Sequence, residues 1–85
     1  MPERLIGHVT HYYNRIGVAA IELVDTLRVG EKIHILGKTT DFIQTVTSME
    51  ENHCPIQIAE AGHAVGIRVG ERVRKNDKVY IVEEN

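Results

Sequence analysis

The 85-residue chain is short of several things, and each shortage removes a class of explanation. It has one cysteine, Cys54, which can form no internal disulfide and has no thiol partner for a zinc or iron–sulfur site. It has no basic excess, the formal charge being -2. A protein holding nucleic acid mainly through its phosphates carries a positive balance, so any basic footprint here is local. No apolar run approaches the ~18 residues needed to cross a bilayer, and the first residues, Met1 to His8, lack the apolar core of a signal peptide. These absences predict a cytoplasmic protein with no membrane association. No window of useful length keeps a period of 3.6 residues, so helices are not expected.

What is present is ordinary for a folded protein. Hydrophobic residues make up 42% and charged residues 26%, which argues against disorder. A chain of this length has room for one domain, residues 1–85, and buries roughly 60–65% of its unfolded surface. Alternation predicts strands over Arg4–Tyr13, with Leu5, Gly7, Val9, His11 and Tyr13 on one face, and over Ile16–Val24, joined to the first by Asn14-Arg15 as a hairpin. Asp25–Gly30 reads as a connection into a strand over Glu31–Gly37, where Ile33 and Ile35 share one face. Lys38–Thr40 turns into Asp41–Met49, where a bulge near Ser48-Met49 would return Met49 to the core. Glu50–His53 reads as a loop, Ile56–Ile58 as a short strand, His63–Val69 as another, Glu71–Lys78 as a charged connection, and Val79–Val82 as the last strand.

Six or seven short strands with no helix to cover a sheet predict an all-β fold, either a barrel or a sandwich. At this length closure is preferred because it removes exposed edges, so a single small closed Greek-key β-barrel is expected. Two or three apolar residues per strand face fill such a barrel and leave no ligand lumen. Any binding site is therefore expected on the outside.

The residues Leu27-Arg28-Val29-Gly30-Glu31, followed by Lys32–Gly37, resemble the turn and strand that mark the second domain of translational GTPases of the elongation factor Tu type. Val46–Met49, Ala61-Gly62-His63-Ala64-Val65-Gly66 and Arg74–Val79 are similar to that family in order and spacing, so the resemblance covers almost the whole chain. Gly17–Leu23, Thr39–Phe42 and Asp77–Tyr80 are closer still in wording to the barrel at the C-terminal end of U32-family peptidase-like proteins. Both resemblances imply a small barrel. Gly30 and Gly62 fall at chain reversals, where positive φ suits glycine.

The elongation-factor resemblance implies a place near the 3′ end of aminoacyl-tRNA, held by an acid before the methionine and bases after it. This chain has Ser48 and then Glu50 and Glu51 at those positions. GTP hydrolysis belongs to a separate domain of that family. Gly37-Lys38-Thr39 matches only the end of a phosphate loop, with Lys32 where the upstream glycine belongs and a strand instead of a helix following, so no nucleoside triphosphate and no cofactor are expected.

Catalytic chemistry finds little footing. His8 and His11, three apart on a strand, are predicted on opposite faces, and His34 and His63 are read as outward-facing, so no metal site is expected. His53-Cys54 lacks an orienting Asn or Asp, and Cys54 is read as small and half-buried. No Gly-x-Ser-x-Gly elbow or paired carboxylates appear. Two surface features remain. Arg68, Arg72, Arg74, Lys75 and Lys78 form a basic stretch, either a solvated rim or a contact for phosphate or an acidic partner. Tyr12 and Tyr13, at the other end of the barrel, offer a stacking or docking surface, one of them facing outward. The sequence thus predicts a non-enzymatic binding module, an RNA- or ribonucleoprotein-associated adaptor in translation or RNA metabolism. The alternative is a protein–protein accessory domain acting in trans with a U32 peptidase-like enzyme.

Overall fold

A computed structural model describes residues 3–83. Ten strands occur in chain order: β1 (Glu3–Tyr13), β2 (Val18–Leu23), β3 (Leu27–Arg28), β4 (Lys32–Leu36), β5 (Asp41–Thr45), β6 (Met49–Glu51), β7 (Cys54–Ile56), β8 (Ile58–Ala59), β9 (Ala64–Arg68) and β10 (Lys78–Val82). No helix occurs among the described residues. Eight strands form one antiparallel sheet in the order β5-β4-β10-β1-β2-β9-β6-β7, and β3 pairs with β8 as a separate ribbon.

The all-β expectation holds, but the closed barrel of six to seven strands does not. The sheet order ends at β5 and β7, which do not pair with each other. Closure by a ladder fails for a local reason: β7 is three residues long and contains Pro55, which has no N–H to donate. On the other edge, the Gln44 side chain of β5 takes the place of a ladder. Its Nε2 donates to the Arg68 carbonyl at 2.8 Å, and its Oε1 accepts from the Gly70 N–H at 2.9 Å.

Strand β1 is long enough to serve two neighbours, pairing with β10 through its first half and with β2 through its second. Its register shifts between Leu5 and Gly7 against β10, and between Val9 and His11 against β2. Each shift inserts one residue and reverses the alternation beyond it. Ile6 and Val9 are consequently fully buried and Tyr12 packs on the core, while Leu5 and Tyr13 point outward. The predicted single face of Leu5, Gly7, Val9, His11 and Tyr13 is therefore broken twice.

In β4 the alternation is unbroken, and Ile33 and Ile35 have no exposed surface. They join Ile21, Leu23, Leu27, Val46, Met49, Ile67 and Val79 in one core cluster. Met49 reaches that core because the chain breaks at Val46–Ser48 and starts β6, not through a bulge in one long strand. The turn before β4 is built by its own residues: the Arg28 N–H donates to Glu31 Oε1 at 2.8 Å, and Gly30 at φ 100° donates its N–H to the Val46 carbonyl. Gly62 also has positive φ, as its turn requires. The stretch read as a loop, Glu50–His53, is instead a hairpin whose two-residue turn, Asn52-His53, has positive φ at both positions. Paired positive φ values match the right-handed twist of the flanking strands.

Candidate partner-binding surfaces

The charged connection after β9 folds inward at two points. Val73 is 1% exposed and Asp77 5% exposed, although both lie in a stretch of alternating charges. The Asp77 carboxylate accepts the Arg74 N–H at 2.8 Å, and the Asp77 N–H donates to the Arg74 carbonyl, closing the turn around Lys75-Asn76. One of the two acids that dilute this basic stretch is thereby withdrawn from the surface. Arg68, Arg72, Arg74, Lys75 and Lys78 all remain exposed. None of the five forms an ion pair among the described residues.

The arc also gains a member from elsewhere in the chain. Arg74 Nε donates to Thr39 Oγ1 at 2.8 Å, which brings the β4–β5 turn and its exposed Lys38 beside Arg74. Lys38 was legible only as part of a failed phosphate-loop match, because 35 residues separate Thr39 from Arg74. Lys78 stands opposite Leu36 of β4 and His8 of β1.

The two tyrosines divide as one inward and one outward. Tyr12 packs against the core and Tyr13 is 48% exposed, its ring meeting that of His11 edge-on at 4.4 Å. Tyr13 is not at the opposite end from the arginines: it registers with Val18, which registers with Arg68, in one row across β1, β2 and β9. Beside that row lies a groove of about 370 Å³. Tyr13 and Ile16 form one wall, Glu50, Asn52 and His53 the other, and small residues such as Ala20 and Gly66 the floor.

Two of the five histidines are tied to carboxylates. His34 Nε2 lies 2.6 Å from Asp41 Oδ1, and its Nδ1 lies 2.9 and 3.0 Å from the two oxygens of Glu3. Hydrogen bonding to Asp41 and then to Glu3 favours the imidazolium, and the pKa of His34 is raised. His63 Nδ1 lies 2.6 Å from Glu51 Oε2, which raises its pKa in the same way. His8 and His11 share the outer face, contrary to the sequence expectation, because the shift between Val9 and His11 sets them opposite Glu22 and Ala20. No group of three His, Cys, Asp or Glu residues among those described is arranged to hold a metal ion. Cys54 is exposed, not half-buried.

These features define a small antiparallel all-β unit with surface features suited to contact and no assembled nucleophile and base among the described residues. No family model matches the chain. The chain is 41% identical over 80 residues, 93% of its length, to an uncharacterised protease of Methanocaldococcus jannaschii. It is 35% identical over 77 residues to a collagenase of Porphyromonas gingivalis. It spans about a fifth of the length of these curated relatives. In structure it is similar to the C-terminal domain of a U32 peptidase from Geobacillus thermoleovorans, with a TM-score of 0.88 over 94% of this chain and 93% of that one, at 16% identity. A selenomethionine variant of that domain gives 0.85. The U32 side of the sequence resemblance is thus met in fold by the structural comparison, the sequence relatives being named as a protease and a collagenase, whereas the elongation-factor side rests on the sequence motifs alone.

Proposed function

We propose that the chain is a non-catalytic binding module that works beside the larger body of a U32 peptidase-like protein. The observation that carries this reading is the shape of the match: nearly all of this chain aligns with about a fifth of each protease or collagenase relative. Its fold also aligns nearly end to end with a U32 peptidase's C-terminal domain. Peptide-bond chemistry then belongs to the larger body. This module contributes contact, which agrees with a lone exposed Cys54 and a His34 whose two ring nitrogens both face carboxylates. The test is affinity purification of the tagged chain from its native cell extract. A U32-type polypeptide recovered in near-equal amount supports the reading, and its absence from a preparation that yields folded bait removes it.

The five cations, which form no ion pair among the described residues, favour a second reading, contact with RNA or a ribonucleoprotein as part of translation or RNA metabolism. Binding to single-stranded RNA or tRNA is then salt-sensitive, and Arg72→Glu with Arg74→Glu weakens it and lowers the slope of log affinity against log salt by about 1 to 2. Salt-independent or undetectable binding of the unaltered chain eliminates this second reading and leaves the first in place.

A further inference from the structure

We infer that the outer face of strands β5, β4, β10 and β1 is the surface on which this module seats against the larger body of a U32 peptidase-like polypeptide. The inference rests on the module reading above. Four strands bring Ile43, His34, Tyr80 and Leu5 into one register row. Val24 extends the row: its N–H donates to the Ile6 carbonyl at 2.7 Å, and Val24 and Leu5 line the same depression. Leu5, Val24 and Ile43 are 44%, 56% and 53% exposed, and Leu36 adds a further exposed apolar side chain one row away. Val82 belongs to the same face, two residues on from Tyr80. It is buried yet stands outside the core cluster.

Several large apolar side chains exposed on one face of a sheet are characteristic of an interaction surface, whereas single exposed leucines are common and uninformative. A charged cluster lies within the row, Glu3 and Asp41 sitting on the two ring nitrogens of His34 between Ile43 and Tyr80, while Lys78 borders it and the Arg4–Asp25 and Arg4–Glu83 ion pairs close one end. His34 already has both ring nitrogens on carboxylates, so covering it strands neither of them, and the Tyr80 phenol is left to seek its partner across the interface.

The relatives' lengths point to the occupant. In each, the matching segment is about a fifth of the polypeptide, so most of the chain is available as a neighbouring body. Contacts between domains of one chain bury roughly 600–1,500 Å².

The experiment compares the isolated full chain with a chimera in which it replaces the matched segment of the Methanocaldococcus jannaschii protease. Hydroxyl-radical footprinting is read at Leu5, Leu36, Ile43 and Tyr80, with Tyr13 and Ile58 as internal references. In the chimera the first four are expected to lose labelling while the references keep it. Leu5→Asp with Ile43→Asp is expected to restore labelling at Leu36 and Tyr80, with an unchanged circular dichroism spectrum for the isolated variant. Protection confined to the Tyr13 groove or the basic arc overturns this surface assignment and leaves the module reading standing. Concentration-dependent protection of the row in the isolated chain overturns the assigned occupant in favour of a second copy. No protection anywhere in the chimera overturns both the surface and the module reading.

Discussion

Gly37 illustrates how a position can be conformationally undemanding and still require glycine. A Cβ there would overlap the carboxylate of Asp77, which is buried and engaged with the Arg74 N–H. Gly7 is tighter because the obstacle is backbone: its Cβ would overlap the Glu22 carbonyl of the neighbouring strand. Overpacking of this kind costs about 1–3 kcal/mol, and a side chain gives way more readily than a ladder. Gly37→Ala is therefore expected to lower stability by about 1–2 kcal/mol, and Gly7→Ala by about 3 kcal/mol, as read from urea midpoints at constant slope. Equal effects of the two would contradict the distinction. The sequence marked Gly37 only as the end of a strand; that Asp77 lies against it depends on β10 pairing with β4, which no local pattern encodes.

At the level of elements, a side-chain amide bridges the open side of the sheet. Gln44 supplies both a donor and an acceptor to the chain just beyond β9, bridging strands that the sheet order leaves unpaired. Gln44→Ala removes two hydrogen bonds in a partly wet setting and is expected to cost about 1–2 kcal/mol. Amide exchange at Gly70 is expected to accelerate, since its N–H loses its acceptor; an unchanged Gly70 rate would show that the bridge is dispensable. Strand existence was largely legible here. The runs over β2, β4, β5, β9 and β10 alternate clearly, and Ile33 and Ile35 are buried as their spacing requires. Where reading by period failed, in β1 and at Val46–Met49, the chain departs from a two-residue repeat through register shifts or a break. The β6–β7 hairpin was missed because Asn52-His53 reaches positive φ without glycine, the residue that usually announces such a turn.

For the molecule as a whole, histidine ties make stability fall on the alkaline side. His34 links the start of β1 to β4 and β5 through Glu3 and Asp41, and His63 links the turn before β9 to Glu51 of β6. Both have folded pKa values raised above the unfolded value of about 6.5. Their contribution is thus fully present below about pH 6.5 and is lost as pH rises through the higher folded values. The melting temperature is expected to be lower at about pH 8.5 than at about pH 6, with the difference reduced in His34→Gln and reduced further when His63→Gln is added. A melting temperature that rises over that range would contradict the assigned pairings. The surface features belong to this scale as well. The basic stretch could be counted in the sequence, but the inward turn of Asp77 beside it is set by the fold. Tyr13 and Arg68 were read at opposite ends, and only the β1–β2–β9 register sets them in one row.

By itself the sequence determined that this protein is built of strands, which residues of β4 face the core, and where Gly30 and Gly62 reverse the chain. These follow from side-chain period and backbone sterics within a few residues. Only the tertiary structure decided that the sheet stays open at Gln44, that ten strands form, and that Ile43, His34, Tyr80, Leu5 and Val24 make one outer surface. Those outcomes depend on which strands become neighbours and in what register, a choice made by burying one shared core across the whole chain.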